Sequence, residues 1–123
     1  MPPGSHYSRI ESHETCPGFP DVHVTFKGVT THLELKANLI PSNNHPFKEK
    51  GLRRAQIIWI NEELEVAGRV LIVAQVQNTI FFVHGSHASA FNNMTVADLQ
   101  KISLLNWDRY GHCDSAALHR LFR

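Results

Sequence analysis

Residues Pro17 to Ala37 read PGFPDVHVTFKGVTTHLELKA. Two runs in this stretch alternate with period two, the mark of half-buried strands. In the first, Val22, Val24 and Phe26 fall on one side and Asp21, His23 and Thr25 on the other. In the second, Leu33, Leu35 and Ala37 oppose His32, Glu34 and Lys36. A polar break from Lys27 to Thr31 separates them. A two-residue turn centred near Gly28 would fold the runs into a hairpin, with Asp21 across from Glu34 or Lys36. Residues opposite one another in an antiparallel ladder point to the same side. Asp21, Glu34 and Lys36 are therefore expected on one polar face, with the apolar residues beneath on the other. A slip of one residue would undo this. Two carboxylates and an ammonium on a rigid sheet suit Mg²⁺, which favours one or two carboxylates plus phosphate oxygens and water. The competing reading is a solvated sheet face, where a D…E-x-K pattern means only exposed polar residues.

Outward from the hairpin, the 38–51 stretch is a polar loop carrying Lys48 and Lys50, long enough to be a substrate-contacting element. Leu52 to Ala67 has Ile57, Ile60, Leu64 and Ala67 at helical spacing, with Gly68 as a stop. Arg53 falls inside that apolar stripe and Gln56 at its edge, so the helix start is expected to overhang the polar face and aim both into it. The alternative is that this first turn projects into water. Val70 to Gln77 is nearly continuous and apolar, as in a strand covered on both faces. A tight turn at Asn78-Thr79 leads to a strand over Ile80 to His84. A short helix is expected within Ser86 to Phe91. Thr95 with Asp98 opens another through about Leu105, and Asp114 or Ser115 caps a last one to Phe122. Trp107 and Tyr110, between these last two helices in sequence, are expected to pack against the domain or across a subunit boundary. Upstream, residues 1–8 read as loose, and Tyr7 to Glu11 as an edge strand or single helical turn with Ile10 inward.

A length of 123 residues suits one domain with one core. No apolar run reaches the roughly 18 residues of a membrane span, and no secretory signal is legible. Cys16 and Cys113 read as free thiols in a reducing cytoplasm. A net charge of +1 is no advertisement for nucleic acid. Its distribution says more, because Lys48, Lys50, Arg53 and Arg54 crowd together.

The order strand, strand, helix, strand, strand, with an acidic residue ahead of it, resembles the PD-(D/E)XK nuclease superfamily. Within it, the chain is similar to small stand-alone VRR-NUC and Holliday-junction-resolvase-like nucleases, many carried by bacteriophages. The matching residues are Gly18-Phe19-Pro20-Asp21 for G-x-P-D, Glu34-Leu35-Lys36 for E-x-K, Gln56 on the following helix, and Glu11 for the upstream acid. The likeness covers residues 9–85, and 86–123 would be a helical extension of a single nuclease domain. It departs upstream, where relatives often carry a substantial helix that is expected here to be absent or much reduced. The resemblance implies an α/β fold, a restriction-endonuclease-like mixed sheet of about four to five strands with flanking helices. It also implies Mg²⁺- or Mn²⁺-dependent hydrolysis of a DNA phosphodiester by a homodimer in the cytoplasm of a bacterial or phage-infected cell. Asp21, Glu34, the Leu35 carbonyl and Glu11 would hold the ion. Lys36 would position the attacking water, and Gln56 would orient Lys36, water or a phosphate oxygen. Arg9, Lys48, Lys50, Arg53 and Arg54 would contact the DNA backbone.

Two other readings stay open. One is a restriction-like or packaging-associated endonuclease with sequence preference; the other is a non-catalytic nucleic-acid-binding protein on the same fold. Nine histidines also raise a zinc site from His13, Cys16, His23 and His32, but no familiar paired spacing supports it.

Overall fold

The computed structural model describes residues 5–9, 22–66, 68–108 and 120–121, with backbone alone for 5–9. Its centre is a six-stranded sheet in sequence order. The strands are β1 (Ser5–Arg9), β2 (Val22–Phe26), β3 (Val29–Asn38), β4 (Val70–Val76), β5 (Thr79–His84) and β6 (Leu105–Asp108). Only β3 and β4 run parallel, with α1 (Arg54–Glu65) between them in the chain; the other neighbours are antiparallel. A 3₁₀ turn (Gly85–His87), α2 (Ala88–Phe91) and α3 (Val96–Ile102) complete the described elements. The anticipated α/β architecture, a mixed sheet with flanking helices, is the one observed.

Two local signals set the frame. Lys27 and Gly28 both have positive φ, 51° and 80°, the geometry of a tight hairpin turn whose twist matches its strands. Phe26 therefore pairs with Val29 and Val22 with Leu33. Thr95 and Asp98 form a reciprocal capping box, with N–H to oxygen distances of 3.0 and 3.1 Å. Hydrogen bonds from the Thr95 backbone and side chain hold the Asp98 carboxyl below its ordinary value.

The larger core lies between the sheet and the helices. Ile72, Ala74 and Val83 from the strands meet Ile60, Phe91 and Leu99, all fully buried. A smaller cluster on the opposite face joins Val22, Val24, Phe26, Leu33 and Leu71. β4 is thus covered on both faces at Leu71, but this second cover thins at Val73 and Gln75, which are only half-buried.

Several expectations are corrected. Residues 5–8, expected to be loose, belong to β1, where Ser5 pairs with Phe26 and Arg9 with Val22. The helix from Thr95 stops at Ile102, and Leu105–Asp108 is a strand. Trp107 lies on that strand, opposite Ile80 and half-buried. The second tight turn sits at Gln77-Asn78, with Gln77 at φ 54°, one residue earlier than expected. The loop after β3 is not polar throughout. Phe47 is fully buried and stacks on Phe91, with centroids 4.8 Å apart. A phenylalanine buried this way is worth roughly 1.5–3 kcal/mol, enough to pin the loop. Ile10, Tyr110 and the helix expected from Asp114 or Ser115 lie outside the described residues, apart from 120–121.

Candidate active site

β3 is ten residues long, and among the described residues β2 pairs with it from Val29 to Leu33. Glu34, Lys36 and Asn38 follow on one side of the strand, beside Ile72, Ala74 and Val76 of β4. This side faces the helices. The polar face is therefore the covered one, contrary to the expectation that apolar residues would lie beneath: Glu34 is 0% exposed, while Leu35 is 43% exposed and Ala37 is exposed too.

Three sequence-chosen side chains come together here. Lys36 Nζ lies 3.6 Å from Glu34 Oε1. Gln56 Nε2 donates to the same oxygen at 2.8 Å. Gln56 Oε1 in turn accepts the Arg53 backbone N–H at 2.8 Å, so one amide closes the helix N-terminus and grips the carboxylate. Both partners fix its orientation, because a carboxylate accepts only and an N–H donates only. Gln56 thus holds Glu34, a partner that the sequence reading did not name beside Lys36, water and a phosphate oxygen. A buried carboxylate without such partners would be costly by several kcal/mol.

The helix start divides between the two readings posed for it. Gln56 is 3% exposed and points into the site. Arg53 is the N-cap, and its side chain is exposed; so is that of Arg54. Lys48 and Lys50 are exposed on the loop after β3. Arg9 sits at the end of β1. Asp21 and Glu11 lie outside the described residues, as do His13 and Cys16. Among the described residues, no three of His, Cys, Asp and Glu gather to hold an ion.

Two features escaped the sequence reading. Trp59, one helical turn beyond Gln56, meets His32 edge-on at 5.1 Å, and His32 meets its cross-strand partner His23 at 6.2 Å. Burial pushes His32 below its ordinary value, against the opposing pull of the Glu63 carboxylate. Trp59 was legible only as the residue at i+3 from Gln56. The other feature is Asn38, next in the alternation after Glu34 and Lys36 and 7% exposed.

No helix among the described residues is long and apolar enough to cross a membrane. No protein-family model and no curated protein matches the chain. Among solved structures, the chain is similar to Archaeoglobus fulgidus Hjc, a Holliday junction resolvase from an archaeal hyperthermophile. Identity is 11% and the TM-score 0.47, over 68% of this chain and 65% of that one, under two thirds of its length. That likeness is too loose to transfer residue roles.

Proposed function

We propose that the chain is a metal-dependent DNA endonuclease, one nuclease domain working as a homodimer, with selectivity for branched DNA. The observation that carries this reading is the buried Glu34 carboxylate, held by both Lys36 and Gln56. A solvated-face explanation of the E-x-K pattern does not fit a glutamate with no exposure. The hairpin register, Val22 opposite Leu33, stands one step from the pair Asp21 and Glu34.

The donor set suits a hard divalent cation. Lys36 offsets the charge of Glu34, so Asp21 and Glu11 would leave an excess of negative charge for Mg²⁺ or Mn²⁺, with the Leu35 carbonyl as a further oxygen. Bound there, the ion supplies positive charge against the scissile phosphate. The chain's own residues do the rest. Gln56 keeps the Glu34 carboxylate aimed. Lys36, 3.6 Å from the Glu34 carboxylate, would position a water in line with the phosphorus. The water oxygen would bond to phosphorus as the bond to the leaving sugar oxygen breaks, the water's proton passing to solvent and the leaving oxygen taking one up from solvent. Arg9, Lys48, Lys50, Arg53 and Arg54 would grip backbone phosphates. Two copies related by a twofold axis would address the two strands of a symmetric junction.

The test is cleavage of a labelled four-way junction beside linear duplex, with Mg²⁺ or Mn²⁺. Asp21→Ala and Lys36→Ala should each lower junction cleavage by about 10²–10³, the usual effect of removing one preorganised electrostatic group. Equal cleavage of both DNAs keeps the nuclease and removes the selectivity. No cleavage of any DNA by folded protein in excess sinks the reading.

A further inference from the structure

Ile40 is 87% exposed and Leu39 58% exposed, immediately after the strand that carries Glu34 and Lys36. A lone exposed isoleucine is ordinary. This one stands on a braced loop. Asn38 Nδ2 donates to the Pro46 carbonyl at 2.8 Å, and the His45 N–H donates to Asn43 Oδ1 at 2.8 Å. Phe47 is buried against Phe91. Farther along, Asn92 clamps Leu52 at both its N–H and its carbonyl, at 2.7 and 2.8 Å. A loop fixed this way has little ordering entropy left to lose on binding.

Beside Ile40 lies a cleft of about 260 Å³, lined by Asn43, His45, Lys48, Glu49 and Lys50. Two ammonium groups face one carboxylate there, which favours an anion. Asn38 also lines the cleft, its side chain buried beneath the rim. Asn38 shares its side of β3 with Lys36, two positions back, so the cleft continues the row of the active site. The volume is below the range of a drug-sized ligand and suits one nucleotide base. An apolar rim and two lysines match a base face and its phosphate.

We infer that the 39–50 loop receives one unpaired nucleotide of the DNA, with Ile40 wedged against the exposed base and Lys48 and Lys50 on its phosphate. This rests on the nuclease reading and narrows its substrate to DNA that is unpaired beside the cut. The probe is a duplex with one bulged 2-aminopurine, compared with a fully paired duplex. Binding in EDTA should raise 2-aminopurine emission at the bulge. With Mg²⁺, the bulged duplex should be cut about tenfold faster, on the order of burying one isoleucine side chain. Ile40→Ser should abolish the rise and bring the rate ratio near one; at so exposed a position, folding is not at issue. Equal cutting of both duplexes with flat emission overturns the inference and leaves the nuclease standing. A preference untouched by Ile40→Ser also overturns it. If neither DNA is cut, the nuclease reading falls, and the emission in EDTA still decides: a rise lost in Ile40→Ser supports the wedge, and no rise overturns it.

Discussion

The two sides of β3 invert the usual relation between polarity and burial. On the helix side, Glu34 and Gln56 are sealed in and Lys36 is 16% exposed. On the other side, Leu35 and Ala37 are exposed, and Leu35, Ala37, Val73 and Ile80 line an open hollow of about 230 Å³. Stability alone would place these residues the other way round, since burying leucine is favourable and burying carboxylate is not. Folds keep such inversions at functional sites, where local rules are broken for chemistry. The contrast is the ground on which the proposed site rests.

The sharpest way to break the comparison is to make the helix side apolar. Lys36→Met alone should destabilise by about 3 kcal/mol, because it strands the Glu34 charge in the core. The double variant Glu34→Leu, Lys36→Met should recover part of that loss, since it removes the buried charge but leaves the Gln56 Nε2 donor without its acceptor. Denaturant titration of the three proteins decides it. A double variant as unstable as the single would mean that the pair holds the fold together.

Gln56 comes next. Gln56→Leu removes the bond to Glu34 and the Arg53 N–H cap together, and should cost about 2 kcal/mol. Gln56→Glu keeps an acceptor for Arg53 but sets a carboxylate against Glu34. Thermal melts should therefore place it below wild type at neutral pH, with the gap closing in acid as carboxylates take up protons. A gap that does not move with pH would contradict the contact with Glu34.

How much of this was legible follows from distance along the chain. The hairpin turn near Gly28, the Thr95 capping box and a helix within the 52–67 stretch came through, because each is written within a few neighbouring residues. The pairing of Gln56 with the E-x-K strand came through in part, since a polar residue at the edge of an apolar stripe signals an odd environment. What stayed hidden depends on distant packing. Alternation says that Glu34 and Leu35 face opposite ways, but not which way α1 lies. Phe47 looked like part of a polar loop because its partner Phe91 is far along the chain. Leu105–Asp108 became a strand only because β5 offers it an edge.

The smallest expected effect tests the open side. Leu35→Lys should change stability by under about 0.5 kcal/mol, as at any exposed site away from special features. The lysine stem can lie along the hollow while its ammonium stays in water. Leu33 is the control: it shares that side two residues earlier but is 8% exposed, inside the smaller cluster, so Leu33→Lys should destabilise clearly. Unfolding would be followed at two protein concentrations. If Leu35→Lys behaves like Leu33→Lys, and wild-type stability rises with concentration, a second copy covers the hollow in solution. If Leu35→Lys is silent at both concentrations, the open side is a true surface, and the inversion across β3 belongs to the site alone.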